Sequence, residues 1–470
     1  MLALPARYGR WVPILAPVTL ILLFLHLNAS LSTRKAQVIL EPELKPTTNN
    51  ETDSTIPEDT NTTPNPEPEP ETPTSQPCRP LPGIENVLVI MKTGITEAQD
   101  KIPVHLRTTL RCIPHKLIVS DFEEEIAGIR THDVFRNVSE TLLTNSDFAL
   151  YNRARAGGRD ALTQSDMTKV ANSAAGMPDN PGWKLDKWKF LPMIQEARAY
   201  RPDMQWYVFL EADTYPFWPN WLAWLDQFDS SEKLYLGNQM QIGDVIFAHG
   251  GSGFVLSHAA LHAVAEYHAG QVDRWNYLTE TQWAGDCILG MALGQVGVDL
   301  TWSWPHVTTQ SVWEQDALGE AFGKMQWCYP ALTFHHMTPA DIDRLYEFDR
   351  RWFSNENNTF LLYSDIFRNF IRPMLADQLD NWSNFAKDEV KHEPENPTSE
   401  PESINQCAER CARTAGCLQY RMDADGKCYT SEWALRGLPS PGVWSGTMMW
   451  RVDAAIQKKG HCEEPMWVLE

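Results

Sequence analysis

The sequence has no excess of basic residues and no basic stripe. Its 470 residues include 40 Lys plus Arg and 61 Asp plus Glu, a formal net charge of −21. Surfaces that bind nucleic acid are strongly positive, so we expect no nucleic acid as a partner. Two acidic segments, residues 41–77 and 386–403, carry charges of −8 and −4 and leave −9 for the rest of the chain. That remainder is ordinary for a soluble domain.

The nine cysteines include no Cys-x-x-Cys pair of the kind that holds zinc. A disulfide framework in an oxidising compartment is therefore the better interpretation. Four cysteines cluster near the C-terminus and allow three pairings, of which we favour a nested one, Cys407–Cys428 around Cys411–Cys417. In the main domain we predict Cys78–Cys112 and Cys287–Cys328. Cys462 is then left over, which allows a disulfide-linked dimer.

The first 82 residues contain no stretch that could form a globular core. Residues 1–10 are predicted to be a cytoplasmic tail, and residues 11–27 are uncharged, apolar and about as long as the shortest membrane-spanning helix. A cleavable signal peptide is the alternative to this signal-anchor. Residues 28–82 are rich in Pro, Glu and Thr and predict an extended, disordered stem. Asn-x-Ser/Thr glycosylation sites in the chain agree with a lumenal location.

The globular part, residues 83–385, is organised around residues 206–216. Trp206–Leu210 reads as a strand buried on both faces, and Glu211 and Asp213 follow it directly. Ligands of open α/β sheets bind at the carboxyl ends of strands, so two acids at this point predict a site for a divalent cation and a diphosphate. The alternative is that both acids only begin a turn.

Other polar residues follow predicted strands or begin predicted helices. Thr93 and Asp121 come after strands at 86–91 and 116–119, and Lys187 could face a phosphate, although turn and surface roles are as common. The segment 247–257 contains Gly250, Gly251 and Gly253, which allow backbone to approach a ligand closely, but it lacks the spacing and Lys of a P-loop. Asp286 begins a helix, where an acid is often only a partner of the helix dipole. The doublet His335-His336 ends a strand, where imidazoles are plausible metal ligands.

Taken in order, these motifs resemble the Fringe-like branch of family 31 glycosyltransferases. The shared elements are the acidic triplet Glu211-Ala-Asp213, the Phe247–Phe254 glycine segment, Asp286-Cys-x-x-Gly290 and Phe334-His335. The resemblance covers residues 84–385, and the ordered series is more specific than any one motif. The anchor, stem and Cys-rich tail are similar to those of a fungal member with a PAN/Apple-like module. The family triplet is usually Asp-rich, so the contacts of its first two positions are uncertain here.

The resemblance implies a GT-A-type, Rossmann-like α/β transferase domain with a small disulfide-rich α+β module. It implies inverting transfer, of the galactose or N-acetylglucosamine type and β1,3-linked, from a UDP-sugar to a glycan or glycoprotein acceptor. Asp213 and His335 would bind Mn²⁺ and Asp286 would be the general base. The donor would be bound by a further set of residues, namely Thr93, Asp121, Lys187, Glu211, Gly250 and Gly251.

The resulting organisation is an anchor, a stem to residue 82, a transferase domain at 83–385, a linker at 386–403 and the Cys-rich module at 404–470. We expect a single-pass type II protein of the Golgi or endoplasmic reticulum membrane with a lumenal catalytic domain. Two other functions stay open. One is a catalytically inactive, lectin-like carbohydrate-binding protein on a transferase fold, and the weaker one is a metal-dependent hydrolase.

Overall fold

The computed structural model describes residues 77–167, 180–389 and 403–469. The predicted cytoplasmic tail, the signal-anchor and most of the stem lie outside these ranges. Within them, none of the helices combines the length and the apolar character needed to cross a bilayer.

Most strands of the described residues are short, and the longest has ten residues. In chain order they are β1 (Val87–Lys92), β2 (Lys116–Ser120), β3 (Glu125–Ile126), β4 (Ile129–Arg130), β5 (His132–Asp133), β6 (Trp206–Glu211), β7 (Tyr215–Pro216), β8 (Tyr235–Gly237), β9 (Gln239–Ile242), β10 (Val245–Ala248), β11 (Phe254–Ser257), β12 (Leu300–Trp302), β13 (Glu320–Ala321), β14 (Lys324–Met325), β15 (Thr333–Phe334), β16 (Leu379–Ser383), β17 (Asp388–Glu389), β18 (Gln419–Met422), β19 (Cys428–Ser431) and β20 (Leu438–Thr447).

The α-helices connect these strands. They are α1 (Ala98–Arg107), α2 (Ala149–Gly157), α3 (Pro181–Asp186), α4 (Phe190–Tyr200), α5 (Trp218–Leu225), α6 (His258–Ala269), α7 (Val272–Thr281), α8 (Gly285–Gln295), α9 (Pro339–Trp352), α10 (Tyr363–Ile366), α11 (Ile404–Arg413) and α12 (Met449–Lys459). The predicted helical stretch from Trp183 to Tyr200 is divided by a 3₁₀ turn at Lys187–Lys189. Pro192 lies in the first turn of α4, where a missing N–H breaks no helical hydrogen bond.

Seven strands form the central sheet in the order β12-β8-β11-β6-β1-β2-β5. β11 runs antiparallel to β6 and β8, and the other neighbouring pairs are parallel. All strands except β11 therefore point the same way, and their carboxyl ends share one edge of the sheet. This mixed α/β arrangement agrees with the expected Rossmann-like architecture.

The central strand β6 is covered on both faces, as its unbroken apolar run predicts. Tyr207 and Phe209 pack in one buried cluster with helices α4, α6 and α8. Trp206, Val208 and Leu210 point to the opposite cluster, which includes α5. Successive side chains of a strand alternate between the two faces of the sheet. A strand with no polar position therefore exposes apolar groups on both faces, and each face is covered by helices.

The C-terminal residues form a second sheet, ordered β16-β20-β18-β19-β17, with α11 beside it. β16 and β17 precede residue 404, so this sheet begins within residues that the sequence analysis placed in the transferase domain and the linker. The predicted nested disulfides Cys407–Cys428 and Cys411–Cys417 are confirmed, and they join α11 to the sheet and to the loop that follows the helix.

One predicted disulfide is wrong. Cys78 pairs with Cys112 as predicted, but Cys328 pairs with Cys462 and Cys287 is a free, buried thiol on α8. The pairing joins residues 134 apart, because the chain after α12 returns to the main domain, where the Val468 carbonyl accepts a 2.8 Å hydrogen bond from Trp224. All nine cysteines are among the described residues, and the unpaired one is buried, so the expected disulfide-linked dimer is not supported.

Candidate active site

The predicted site residues lie at the carboxyl edge of the central sheet. β1 and β6 are parallel neighbours, and Lys92 at the end of β1 is paired in register with Glu211 at the end of β6. β2 ends beside them at Ser120, directly before Asp121. The residues that follow these strands are thus brought together, although Asp121 and Glu211 are 90 positions apart in the sequence.

Asp213 and His335 are brought together by a small two-stranded sheet. β7 and β15 are antiparallel, with Tyr215 opposite Phe334, so the residues that flank this pair face each other. The Met337 amide also donates a 2.9 Å hydrogen bond to the Asp213 carbonyl. His105, buried on α1, contacts the Ala212 carbonyl with Nε2 at 2.9 Å and so stabilises the backbone between Glu211 and Asp213.

Asp213, His335 and His336 form a group that could hold a metal ion. Their ligand atoms all lie within 4.8 Å of one another, and Asp213 Oδ1 is 3.3 Å from His335 Nε2. Adjacent ligands of one octahedral cation with bonds of about 2.1 Å are separated by about 3 Å, so this spacing fits. Asp213 Oδ1 is buried, and the polar group it faces is the His335 imidazole, which would be a ligand of the same ion. One carboxylate and two imidazoles suit a first-row divalent ion better than Ca²⁺.

The charges around Asp213 keep it ionised. Burial acts to raise the pKa of Asp213, but Lys101 and His335 outweigh it and hold the pKa well below its usual range. The Lys101 ammonium is 3.2 Å from Asp213 Oδ2. For His335, burial acts to lower the pKa and the neighbouring Asp213 more than compensates, so the pKa is raised. A metal at this position would therefore compete with a proton for His335.

The glycine segment joins the metal group to Asp286. A Cβ on Gly251 would lie 2.3 Å from His335 Cε1, and a Cβ on Gly250 would lie 2.7 Å from the Phe190 ring and 3.3 Å from Glu211 Oε1. Gly253 has a φ of 83°, which a side chain rarely adopts. Thr214 fixes the segment with a 2.6 Å hydrogen bond to the Gly251 carbonyl. The glycines are therefore required by close approach to the site residues.

Asp286 lies in the first turn of α8, half-buried, with both carboxylate oxygens held by backbone N–H groups. Gly250 donates to Oδ2 at 3.0 Å and Cys287 donates to Oδ1 at 2.9 Å. Burial raises the pKa of Asp286 to about 6, and the two hydrogen bonds oppose this effect. The group is thus mostly ionised at pH 7 while being a stronger base than an ordinary Asp.

Two buried lysines connect the predicted donor-side residues. Lys92 lies between Asp186 and Glu211, with its ammonium 3.0 Å from Glu211 Oε1. Lys189 contacts Asp121 Oδ2 at 3.0 Å and donates to the Thr93 carbonyl at 2.7 Å.

Glu211 is consequently paired with a lysine and is not a member of the metal group formed by Asp213 and the histidines, among the residues described. Asp121 is also engaged, because its Oδ1 accepts from the Ile95 amide at 2.7 Å. Thr93 Oγ1 is buried and has no hydrogen-bond partner.

Lys187 lies on a different side of this network. Its ammonium is 2.9 Å from Asp147 Oδ2 and 3.4 Å from the Glu280 carbonyl. Its backbone, however, is close to the site, because a Cβ on Gly285 would lie 2.4 Å from the Lys187 carbonyl oxygen. The close approach of these two residues positions the start of α8, where Asp286 is located.

Sequence reasoning assigned no role to Lys101, Asp186 and Lys189, which complete the site together with Lys92 and His336. For Lys189, the sequence feature that could have indicated a role is its position between two aromatic residues, Trp188 and Phe190. All three are buried, and a buried charged side chain needs a partner. His336 is the second member of the doublet that had been recognised. Lys101 and Asp186 had no local signal, since their partners are far away in the sequence.

Part of the chain is similar to a known protein family. Residues 184–313 match the family model described as Fringe-like. The matched segment contains Glu211, Asp213, Gly250, Gly251 and Asp286, and it ends before His335. No curated protein sequence matches the chain. The family match supports a glycosyltransferase of the Fringe-like type.

Proposed function

We propose that the protein is a metal-dependent inverting glycosyltransferase that moves a sugar from a UDP-sugar to a hydroxyl group of a glycan or glycoprotein. The observation that carries this proposal is the arrangement around the glycine segment. One backbone segment contacts His335 of the metal group through Gly251 and binds Asp286 through Gly250. A cation for a leaving diphosphate and a base for an incoming hydroxyl would thus be connected by two adjacent residues of one segment.

Asp213, His335 and His336 would hold Mn²⁺, which when bound supplies positive charge for the diphosphate that leaves the sugar. On the donor side, the proposed contacts are Thr93, Asp121, Glu211 and the backbone at Gly250 and Gly251, whereas the predicted contact of Lys187 would require its ammonium to leave Asp147. Lys92 and Lys189 order this side by fixing Glu211 and Asp121 at the strand ends. Thr93 Oγ1, which is buried and has no hydrogen-bond partner in the described structure, would be one of the groups that bind the nucleotide.

Asp286 acts as the general base in this proposal. Each of its oxygens accepts one backbone hydrogen bond, and a carboxylate oxygen has two lone pairs, so each keeps one to accept the proton of an acceptor hydroxyl. The backbone bonds fix the carboxylate in one orientation, which places the base before the substrate arrives. Direct displacement with inversion requires a base on the face of the sugar opposite the leaving group, and Asp286 would occupy that face.

The cellular setting is also a proposal. The apolar segment at 11–27, the acidic stem and the four disulfides favour a type II protein of the Golgi or endoplasmic reticulum with its catalytic domain in the lumen. The Cys-rich residues from 404 would be a PAN/Apple-like module, and the whole arrangement resembles a fungal member of family 31. A galactose or N-acetylglucosamine donor and a β1,3 linkage are what that resemblance implies.

The test is release of UDP by the full chain with Mn²⁺, a panel of UDP-sugars and glycan acceptors. We expect release from one donor, loss of release on chelation of Mn²⁺, and release at least about a hundredfold slower by Asp286→Asn. A folded chain that binds glycans tightly, ignores every UDP-sugar and binds no Mn²⁺ would instead establish the lectin-like function.

A further inference from the structure

The carboxylate of Asp213 is shared between the metal group and a lysine. Oδ1 faces His335 Nε2 at 3.3 Å, whereas Oδ2 is 3.2 Å from the ammonium of Lys101 on α1. Lys101 is largely buried, with 23% of its side chain exposed. Its charge is thus placed directly beside the position where the proposed function requires a second, divalent positive charge.

Lys101 has another carboxylate that does not depend on Asp213. Glu97, four residues earlier, is 2.7 Å from the same ammonium. Pairs at this spacing meet on one face of a helix, so the contact persists when Asp213 has a different partner. Lys92 and Lys189 do not contact the metal group in this way. Their carboxylate partners are Asp186, Glu211 and Asp121, and none of these is a member of that group.

Lys101 weakens the binding of a divalent cation when no diphosphate is present. The ammonium, which also contacts Glu97, offsets part of the charge of Asp213, the single carboxylate of the metal group, and it repels a divalent ion a few ångströms away. A nucleoside diphosphate would change this balance, because its phosphate oxygens would draw the ammonium away from Asp213 and release that carboxylate for the cation. The cation and the diphosphate then favour each other's binding more strongly than either would beside a neutral side chain.

We propose that Lys101 makes binding of the divalent cation conditional on a nucleoside diphosphate, with Glu97 holding the ammonium when Asp213 binds the metal. This inference rests on the proposed function, because it assumes that metal and diphosphate share the site at Asp213. It assigns Lys101 as a positioning residue for the metal. The expected result is an enzyme that binds free Mn²⁺ weakly and becomes loaded together with its donor.

The experiment measures Mn²⁺ affinity of the full chain by electron paramagnetic resonance of the free ion, with and without saturating UDP. In the wild type we expect UDP to tighten Mn²⁺ binding at least about tenfold, within the usual range of coupling between two sites. In Lys101→Met, Mn²⁺ alone should bind about tenfold more tightly, and the effect of UDP should fall by a similar factor. The same factors must appear in UDP titrations with and without Mn²⁺, because coupling is reciprocal.

Three further variants separate charge from structure. Lys101→Arg keeps the cation and should keep the coupling. Glu97→Gln leaves Lys101 with Asp213 alone, so Mn²⁺ without UDP should bind more weakly, and this effect should shrink in the Lys101→Met background. Lys233→Met, at an exposed lysine that contacts the Val296 carbonyl, is the matched control and should change neither affinity.

The outcomes distinguish the two levels of the proposal. If the wild type binds Mn²⁺ and UDP but Lys101→Met leaves their coupling unchanged, Lys101 has no such role and the proposed function stands. Tight Mn²⁺ binding by the wild type without UDP also overturns the inference. Failure of the wild type to bind Mn²⁺ under both conditions overturns the metal-dependent function itself.

Discussion

Replacing Asp286 with Asn tests the assignment of the general base. The amide cannot accept a proton at neutral pH, so turnover should fall by about 10² to 10⁴, the usual contribution of general base catalysis. The wild type should also show a pH dependence set by this group. With a pKa of about 6, about nine-tenths of the carboxylate is ionised at pH 7 and about one-tenth at pH 5. Turnover of the wild type should therefore fall about tenfold between these values.

The variant should fold with little change in stability, because two effects oppose each other. Asn accepts one of the two backbone hydrogen bonds of Asp286, and loss of the other costs about 1 kcal/mol. The native carboxyl has a pKa raised above its ordinary 3.8, so ionisation destabilises the fold as pH rises from about 4 to about 6. Removing this charge should raise the free energy of unfolding at pH 7.5 by about 1 to 2 kcal/mol, a value reduced for solvent screening because the group is partly exposed. The free energy of unfolding should stay within about 1 kcal/mol of the wild-type value.

The assay is UDP release with saturating donor and Mn²⁺ between pH 5 and 8, with thermal unfolding of each variant at pH 7.5. Asp316→Asn is the matched control, since burial also raises the pKa of Asp316 to about 6, but its carboxylate binds the Leu318 amide in a turn. That variant should keep both the turnover and the pH profile. Wild-type turnover by Asp286→Asn, or a wild-type profile without a step near pH 6, would refute the assignment.

Three other predictions follow from the site and its supports. Asp213→Asn should fold and lose Mn²⁺-dependent UDP binding, measured by calorimetry, and Ca²⁺ should replace Mn²⁺ poorly because two imidazoles are among the ligands. Gly251→Ala should displace His335 and weaken Mn²⁺ binding at least about tenfold, whereas Gly294→Ala, whose Cβ would meet no atom within 4 Å, should change neither metal binding nor turnover. Replacing Cys328 and Cys462 with Ser should lower the free energy of unfolding by about 2 to 4 kcal/mol. The Cys411 and Cys417 pair, which closes a loop with a sequence separation of 6, should give a smaller change, and equal losses would contradict the loop-closure explanation.

The sequence by itself determined those features that depend on local pattern. The unbroken apolar run at Trp206–Leu210 required a strand covered on both faces, and β6 is that strand. Ser257 and Thr338 belong to the residue types that favour helix starts, and both side chains accept backbone hydrogen bonds at the starts of α6 and α9. The nested disulfides were readable because Cys407 and Cys411 lie one turn apart. The ordered motifs indicated the type of transferase that the family match supports.

Only the tertiary structure decided which charged groups share a site. Glu211 and Asp213 are neighbours in the sequence, but Lys92 binds the first, whereas the second faces Lys101 and His335. These partners come from other strands and helices, and the sequence, which indicated that residues at strand ends lie near one edge, did not indicate which of them form pairs. The same reason explains the wrong pairing of Cys328, because the return of the C-terminal segment to the main domain is a long-range packing event. The order of residues determines local features such as strands, helix starts and nearby disulfides, whereas the fold determines which distant side chains become partners.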